Sequence, residues 1–172
     1  MILSLGSGKQ APAKNLVRVD ISESVNPDVV WDLAKVPYPF DDKSFSEIQC
    51  FDILEHVENV PAVVEECYRL LSPGGVLKIT TPHFSCSNSY IDPTHRYHFS
   101  YFSMDCFTTD HKYSYYSKAR FQFRTKLLHF EGSRLYCAIL RRIANRFPEF
   151  YEKKLTWILP AWFSYFELEA KK

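Results

Sequence analysis

The sequence predicts an α/β fold: a mostly parallel, twisted sheet carrying helices, with an antiparallel strand near the C-terminus. Three observations predict it. Short apolar runs, continuous or nearly so, recur through the first 82 residues, the pattern of strands covered on both faces. Four of the five runs stop on Gly or Asp. One clear amphipathic helix separates the fourth run from the fifth.

Residues 2–5 stop at Gly6-Ser7-Gly8, 16–19 at Asp20, 29–31 at Asp32 and 46–51 at Asp52. Residues 76–81 follow the turn Ser72-Pro73-Gly74-Gly75 and stop at Pro82. In the helix, Asn59 is the cap and Pro61 sits in the first turn, where a missing N–H costs nothing. Val60, Val63, Val64, Cys67, Leu70 and Leu71 form its apolar stripe, and Glu65, Glu66 and Arg69 are expected to face away. Only about eight residues, Pro12 among them, join the first two strands, and residues 22–28 join the next two. The first crossover helices are therefore short or missing. One sheet face should be thinly covered at this edge, which leaves open a weakened site or a homo-oligomer covering that face. Further on, residues 119–130 alternate, with Phe121, Phe123, Thr125, Leu127 and His129 on one side and Arg120, Gln122, Arg124 and Lys126 on a basic side. Gly132-Ser133 opens a helix to about Arg146, Phe147-Pro148 leads into another ending before Pro160, and residues 163–171 read as a closing strand.

With 172 residues, 46% hydrophobic and 24% charged, the chain is expected to form one domain, not a disordered or low-complexity segment. The net charge of +1 gives no reason to expect DNA as a partner. It hides an asymmetry: residues 1–90 hold 7 Lys/Arg against 12 Asp/Glu, and residues 91–172 hold 14 against 8. Residues 1–82 are read as the scaffold that binds a ligand, and 83–172 as a variable loop, helical insertion and closing strands. The five cysteines, spaced 17, 19, 20 and 31 apart, form no metal or redox motif, which suits a reducing compartment. Met1 leads straight into a strand with no signal-peptide pattern, and the longest apolar stretch, 155–166, is too interrupted and short to be a transmembrane segment. A cytoplasmic protein is expected.

In open α/β sheets the carboxyl edge binds ligands where strand order reverses. Gly6-Ser7-Gly8 after a buried strand lets a ligand approach the backbone. Asp20 is placed to accept hydrogen bonds from ribose hydroxyls. It follows the glycines by 12 residues, where a dinucleotide site expects about 20. A third glycine is missing, Ala11 and Pro12 standing there. A nucleoside without a pyrophosphate fits better than NAD.

These motifs resemble class I S-adenosylmethionine-dependent methyltransferases, Rossmann-like enzymes, specifically the small single-domain kind associated with sugar, polysaccharide or lipid modification. The matching stretches are 3–8 (LSLGSG), 19–22 (VDIS), 32–33 (DL), 36–45 (VPYPFDDKSF), 53–57 (ILEHV) and 66–75 (ECYRLLSPGG). The resemblance covers about residues 2–107. It implies S-adenosyl-L-methionine as methyl donor, with Gly6, Ser7 and Gly8 under its methionine part. It implies Asp20 on the ribose, Ile21 against the adenine, Asp32 on the adenine amino group, the Leu33 amide beside it and Phe51 next to the donor. The acceptor would be a small molecule, a saccharide or a lipid-linked compound.

The loop 83–99 borders the acceptor pocket in such enzymes. His95 or His98 could deprotonate a hydroxyl, Arg96 could hold an anionic group, and His83 and Tyr90 are candidate acceptor contacts. Asp92 and His95 could equally tie the loop down. Asp92, His95 and His98 have three-residue spacing, but no matching cluster accompanies them, and no metal is expected. Arg141, Arg142, Arg146, Lys153 and Lys154 could meet an acidic or lipid head group, and Trp157, Trp162, Phe163 and Phe166 could line a groove for a lipid-linked acceptor. Two other readings remain: a non-catalytic scaffold on a degenerate methyltransferase fold, and an RNA methyltransferase.

Overall fold

The computed structural model describes the backbone of residues 1–172 and every side chain except that of Arg134. The strands are β1 (Ile2–Leu5), β2 (Leu16–Asp20), β3 (Val29–Val30), β4 (Phe45–Phe51), β5 (Leu71–Pro82), β6 (Phe121–His129) and β7 (Phe163–Ala170). They form one sheet in the order β3-β2-β1-β4-β5-β7-β6. The first five are parallel, and β7 runs antiparallel between β5 and β6. The chain steps outward from β1 to β3 and returns on the other side of β1 as β4, so strand order reverses between β1 and β4.

Helix α1 (Val60–Leu70) begins as the sequence predicts, with the Asn59 side chain accepting a hydrogen bond from Ala62 N and Pro61 in the first turn. Its stripe packs on Leu3, Leu5, Val19, Ile48, Cys50, Leu77 and Ile79, which share one face of the sheet. The expectation that Glu65, Glu66 and Arg69 face solvent is wrong. Glu66 is buried and accepts from Tyr38 N (2.6 Å), Arg69 Nη2 (2.7 Å) and Arg69 Nε (2.9 Å). Glu65 accepts from Ser117 and Lys118. These polar side chains staple loops to the helix, a role that periodicity does not reveal.

The opposite face is polar. Glu47, Gln49, Lys78 and Glu167 lie side by side across β4, β5 and β7, with a 2.7 Å ion pair between Lys78 and Glu47. Between β1 and β2 there is only a loop, and between β2 and β3 a single helical turn (Glu23–Val25), as expected. Arg18 lies buried there, pairing with Asp28 and donating to the Gln10 carbonyl. A polar sheet face tolerates water.

In β6 the register slips between Phe123 and Thr125, leaving Arg124 as an extra residue. A bulge shifts the period-two pattern by one. Leu128 is therefore buried and Lys126 turns inward to Asp105, correcting the expected single basic side. A short helix α2 (Asn88–Ile91) lies in the loop after β5. Helix α3 (Arg134–Arg146) starts at the Ser133 cap, and its Asn145 bonds both Leu128 N and O, covering the β6 edge. The chain continues through α4 (Pro148–Phe150) and a π-type turn, Tyr151–Leu155, into β7.

Candidate donor and acceptor clefts

The reversal between β1 and β4 opens a cleft of about 180 Å³ lined by Gly6, Asp20, Ile21, Asp32, Leu33, Ala34, Ile53, His56, Val57 and Glu58. Five of these are donor residues named from the sequence. Asp20 Oδ2 accepts from Gly8 N (2.8 Å) and Oδ1 from Ser22 N (2.9 Å), so the carboxylate is oriented by backbone while each oxygen keeps a lone pair. Asp32 is held in a turn by Ala34 N (3.0 Å). Gly6 has φ +63°, and a Cβ there would lie 2.5 Å from Ile53 side-chain carbons, so glycine is required by both backbone and neighbour.

Ser7 and Gly8 lie behind this wall: Ser7 N bonds Val19 O, while Ser7 Oγ is buried without a partner. Phe51 needs correction. Alternation along β4 puts it on the open face with Glu47 and Gln49, about 40% exposed, and Ile53 takes the place beside the cleft. Sequence reasoning assigned no donor role to Ala34, Ile53, Val57 or Glu58; His56, in the ILEHV stretch, could by its sequence reach the donor side or cap the following helix, and it lines the cleft while Asn59 caps the helix.

A second recess, lined by Asp52, Glu55, His56, Pro82, Asn88, Ile91, Asp92 and His95, adjoins the first through His56. A third, with Thr80, Trp162 and Phe163, continues it through Asp52, Pro82 and Asn88. His95 thus stands one residue from the donor cleft, its ring 4.6 Å from that of His56. Glu55 is 1% exposed, and neither carboxylate oxygen has a hydrogen-bond partner. Burial, with the charges of Asp52 and Asp92, pushes its carboxyl up to about 8. Burial lowers His56, and neighbouring His95 adds to this.

The other acceptor candidates scatter. His83 is fully buried between Ser85 Oγ (2.7 Å) and Glu152 Oε1 (3.1 Å), so it braces the loop and touches no acceptor. His98 bonds Ser89 Oγ and stacks on Tyr90 at 4.3 Å; both side chains are exposed, and neither lines the three recesses. Arg96 pairs with Glu58 at the donor rim (3.2 Å). Phe166 is wholly buried, so it lines no groove. The Asp92 carboxylate accepts from Thr94 N and Oγ1, so the spacing of Asp92, His95 and His98 does not make them one ligand set.

Residues 3–79 match the family model described as "Methyltransferase domain". That match spans a little under half of the chain. A ubiquinone biosynthesis O-methyltransferase of Xylella fastidiosa is 45% identical over 49 residues, 28% of this chain and 18% of that protein. The chain thus matches under a fifth of that relative's length. Among solved structures, an S-adenosylmethionine-dependent methyltransferase from Archaeoglobus fulgidus aligns over 98% of this chain and 85% of its own, with TM-score 0.66 and 18% identity. The phosphoethanolamine N-methyltransferase 2 of Haemonchus contortus, solved with S-adenosyl-L-methionine, aligns over 99% and 48%, with TM-score 0.61 and 14% identity. At such identities the likeness is one of fold, and the whole chain has the class I methyltransferase fold. Among the described residues, no helix is long and apolar enough to cross a membrane.

Proposed function

We propose that this chain transfers the methyl group of S-adenosyl-L-methionine to an oxygen of a small acceptor with an apolar portion. One observation carries the reading: Gly6, Asp20, Ile21, Asp32 and Leu33, from three separate chain segments, line one cleft at the strand-order reversal. The residues fit the donor. Ser7 Oγ is an orphaned buried hydroxyl in the glycine turn, and Asp20, fixed by Gly8 N and Ser22 N at the cleft wall, would accept from the ribose hydroxyls. Asp32 would take the adenine amino group, with Ile21 and Leu33 against the ring. Bound there, the donor supplies an activated sulfonium methyl. The chain's own contribution is alignment of the acceptor and exclusion of water, with His95 placed to take a proton from a hydroxyl.

In this reading residues 1–82 hold the donor and 83–172 the acceptor. Relatives named for ubiquinone biosynthesis support a small-molecule hydroxyl. Leu135, Ile139, Ile143 and Phe147 are exposed at four-residue spacing on and just after α3, and Trp157 and Ile158 are both about three-quarters exposed. With Arg141, Arg142 and Arg146 on the same helix, this supports a lipid-linked acceptor met at an anionic bilayer surface. An RNA acceptor has less support, because Lys126 and Arg124 of β6 are spent on Asp105 and Glu169. Five free thiols support a reducing, cytoplasmic setting.

Calorimetric titration with S-adenosylhomocysteine tests the donor site. Saturable micromolar binding is expected, weakened at least ~100-fold by Asp20→Ala, since two charge-assisted hydrogen bonds are worth roughly 3 kcal/mol or more. No binding at millimolar ligand would leave the scaffold reading.

A further inference from the structure

Glu55, His56 and His95 each offer one ligand atom, and these atoms lie within 4.8 Å of one another. Three features make this a built site. Glu55 is almost completely buried, yet both its oxygens are unpartnered. A buried carboxylate with no donor or cation is expensive to maintain, so the recess is short of a positive group. The chain presents Glu55 there rigidly, its own carbonyl accepting from Arg96 N (2.7 Å).

The histidine tautomers follow from their outer partners. His95 Nδ1 lies 3.3 Å from the Ser89 carbonyl, which can only accept, so Nδ1 carries the proton. His56 Nδ1 lies 2.8 Å from Thr94 Oγ1, whose own proton goes to Asp92 Oδ1 at 2.7 Å. That hydroxyl therefore accepts from His56, and this ring too is protonated on Nδ1. Both Nε2 atoms are left with a free lone pair. Carbonyl or carboxylate-backed Nδ1–H groups behind free Nε2 atoms are the outer-shell arrangement of metal-binding histidines.

We propose that Glu55, His56 and His95 bind one divalent transition-metal ion of the zinc, manganese or ferrous class, with a coordination position open to the acceptor recess. Two imidazoles and one carboxylate form the donor set of open, reactive sites. Separations up to 4.8 Å exceed the roughly 3.4 Å between tetrahedral ligands at ~2.1 Å bond lengths, so the side chains draw inward as the ion enters. Asp52 lines the same recess and adds negative potential. The binding site stands on this geometry alone. Its use rests on the methyl-transfer reading, with the ion replacing His95 as the group that activates the acceptor: a hydroxyl on the metal loses its proton to solvent, and the oxygen's electron pair forms the new C–O bond. The S–CH3 pair stays on sulfur, which leaves as a neutral thioether.

The test is titration of chelator-stripped protein with Zn2+ and, for its visible spectrum, Co2+. One equivalent is expected to bind, and to raise the melting temperature. His95→Ala and Glu55→Gln should each weaken binding on the order of 100-fold, and Thr94→Val about 10-fold by freeing the His56 ring. Circular dichroism reports whether each variant is folded, and Thr94→Val keeps the test valid if Glu55→Gln is not. Absence of saturable binding, or a folded His95→Ala that binds like wild type, overturns the site. The donor is titrated separately into the metal-free protein. Donor binding without metal binding overturns this site alone; metal binding without donor binding overturns methyl transfer and leaves the site standing.

Discussion

Replacing Glu66 by alanine tests how the donor wall is held. Glu66 is 7% exposed and receives three hydrogen bonds, one from Tyr38 N and two from the Arg69 guanidinium. Truncation strands a buried N–H and leaves Arg69 with exposed Asp42 and two loop carbonyls. Breaking a buried pair costs roughly 3–5 kcal/mol. The Arg69 side chain is 27% exposed, so water can partly replace its lost partner, and ~3 kcal/mol is the expected loss. For a chain of this size that lowers Tm by about 6–12 °C. Urea unfolding followed by circular dichroism measures it, and the slope should not change. Arg69→Ala and the double variant complete a cycle whose coupling should reach ~2 kcal/mol. The effect should also reach the ligand. Tyr38 OH donates to the Leu33 carbonyl (3.1 Å), so loosening Tyr38 loosens the Asp32–Leu33 wall and weakens S-adenosylhomocysteine binding. A loss below ~1 kcal/mol, or strictly additive effects, would refute the reasoning.

Gly6→Ala should cost roughly 1–3 kcal/mol in stability and abolish detectable donor binding; adding Ile53→Ala should recover part of the stability, because it removes the 2.5 Å clash but not the positive φ. Glu55, raised to about 8 from an ordinary 4.5, binds its proton more tightly folded than unfolded. In metal-free protein its contribution is therefore complete below about pH 4.5 and lost as pH rises through about 8, at most ~5 kcal/mol, and Glu55→Gln should flatten that slope in chemical denaturation. Vesicles rich in phosphatidylglycerol should sediment the wild-type protein at low salt but release Ile139→Asp, whose side chain is half exposed on α3; equal retention would count against a bilayer-borne acceptor.

What the sequence determined was local and periodic. Apolar runs ending on Gly6, Asp20 and Asp32 pointed to the parallel sheet and to a candidate donor edge, because a strand's end must turn; the expected cover on both faces failed, since the second face of the sheet is polar. The Asn59 cap, Pro61 and the α1 stripe were legible for the same reason, and so were the missing crossovers, which follow from chain length. What only the tertiary structure decided involves partners far apart in the chain. Glu66 looks like a surface residue until Tyr38 folds over it. The extra residue in β6 reverses the side on which Lys126 lies, and no pattern marks a bulge. Glu55 and His56 meet His95 from 40 and 39 residues away, while His98, nearer to His95 in sequence, turns to Ser89. Convergence of side chains depends on where loops return to the sheet edge, and loop paths are set by packing, not by the residues that happen to be neighbours along the chain.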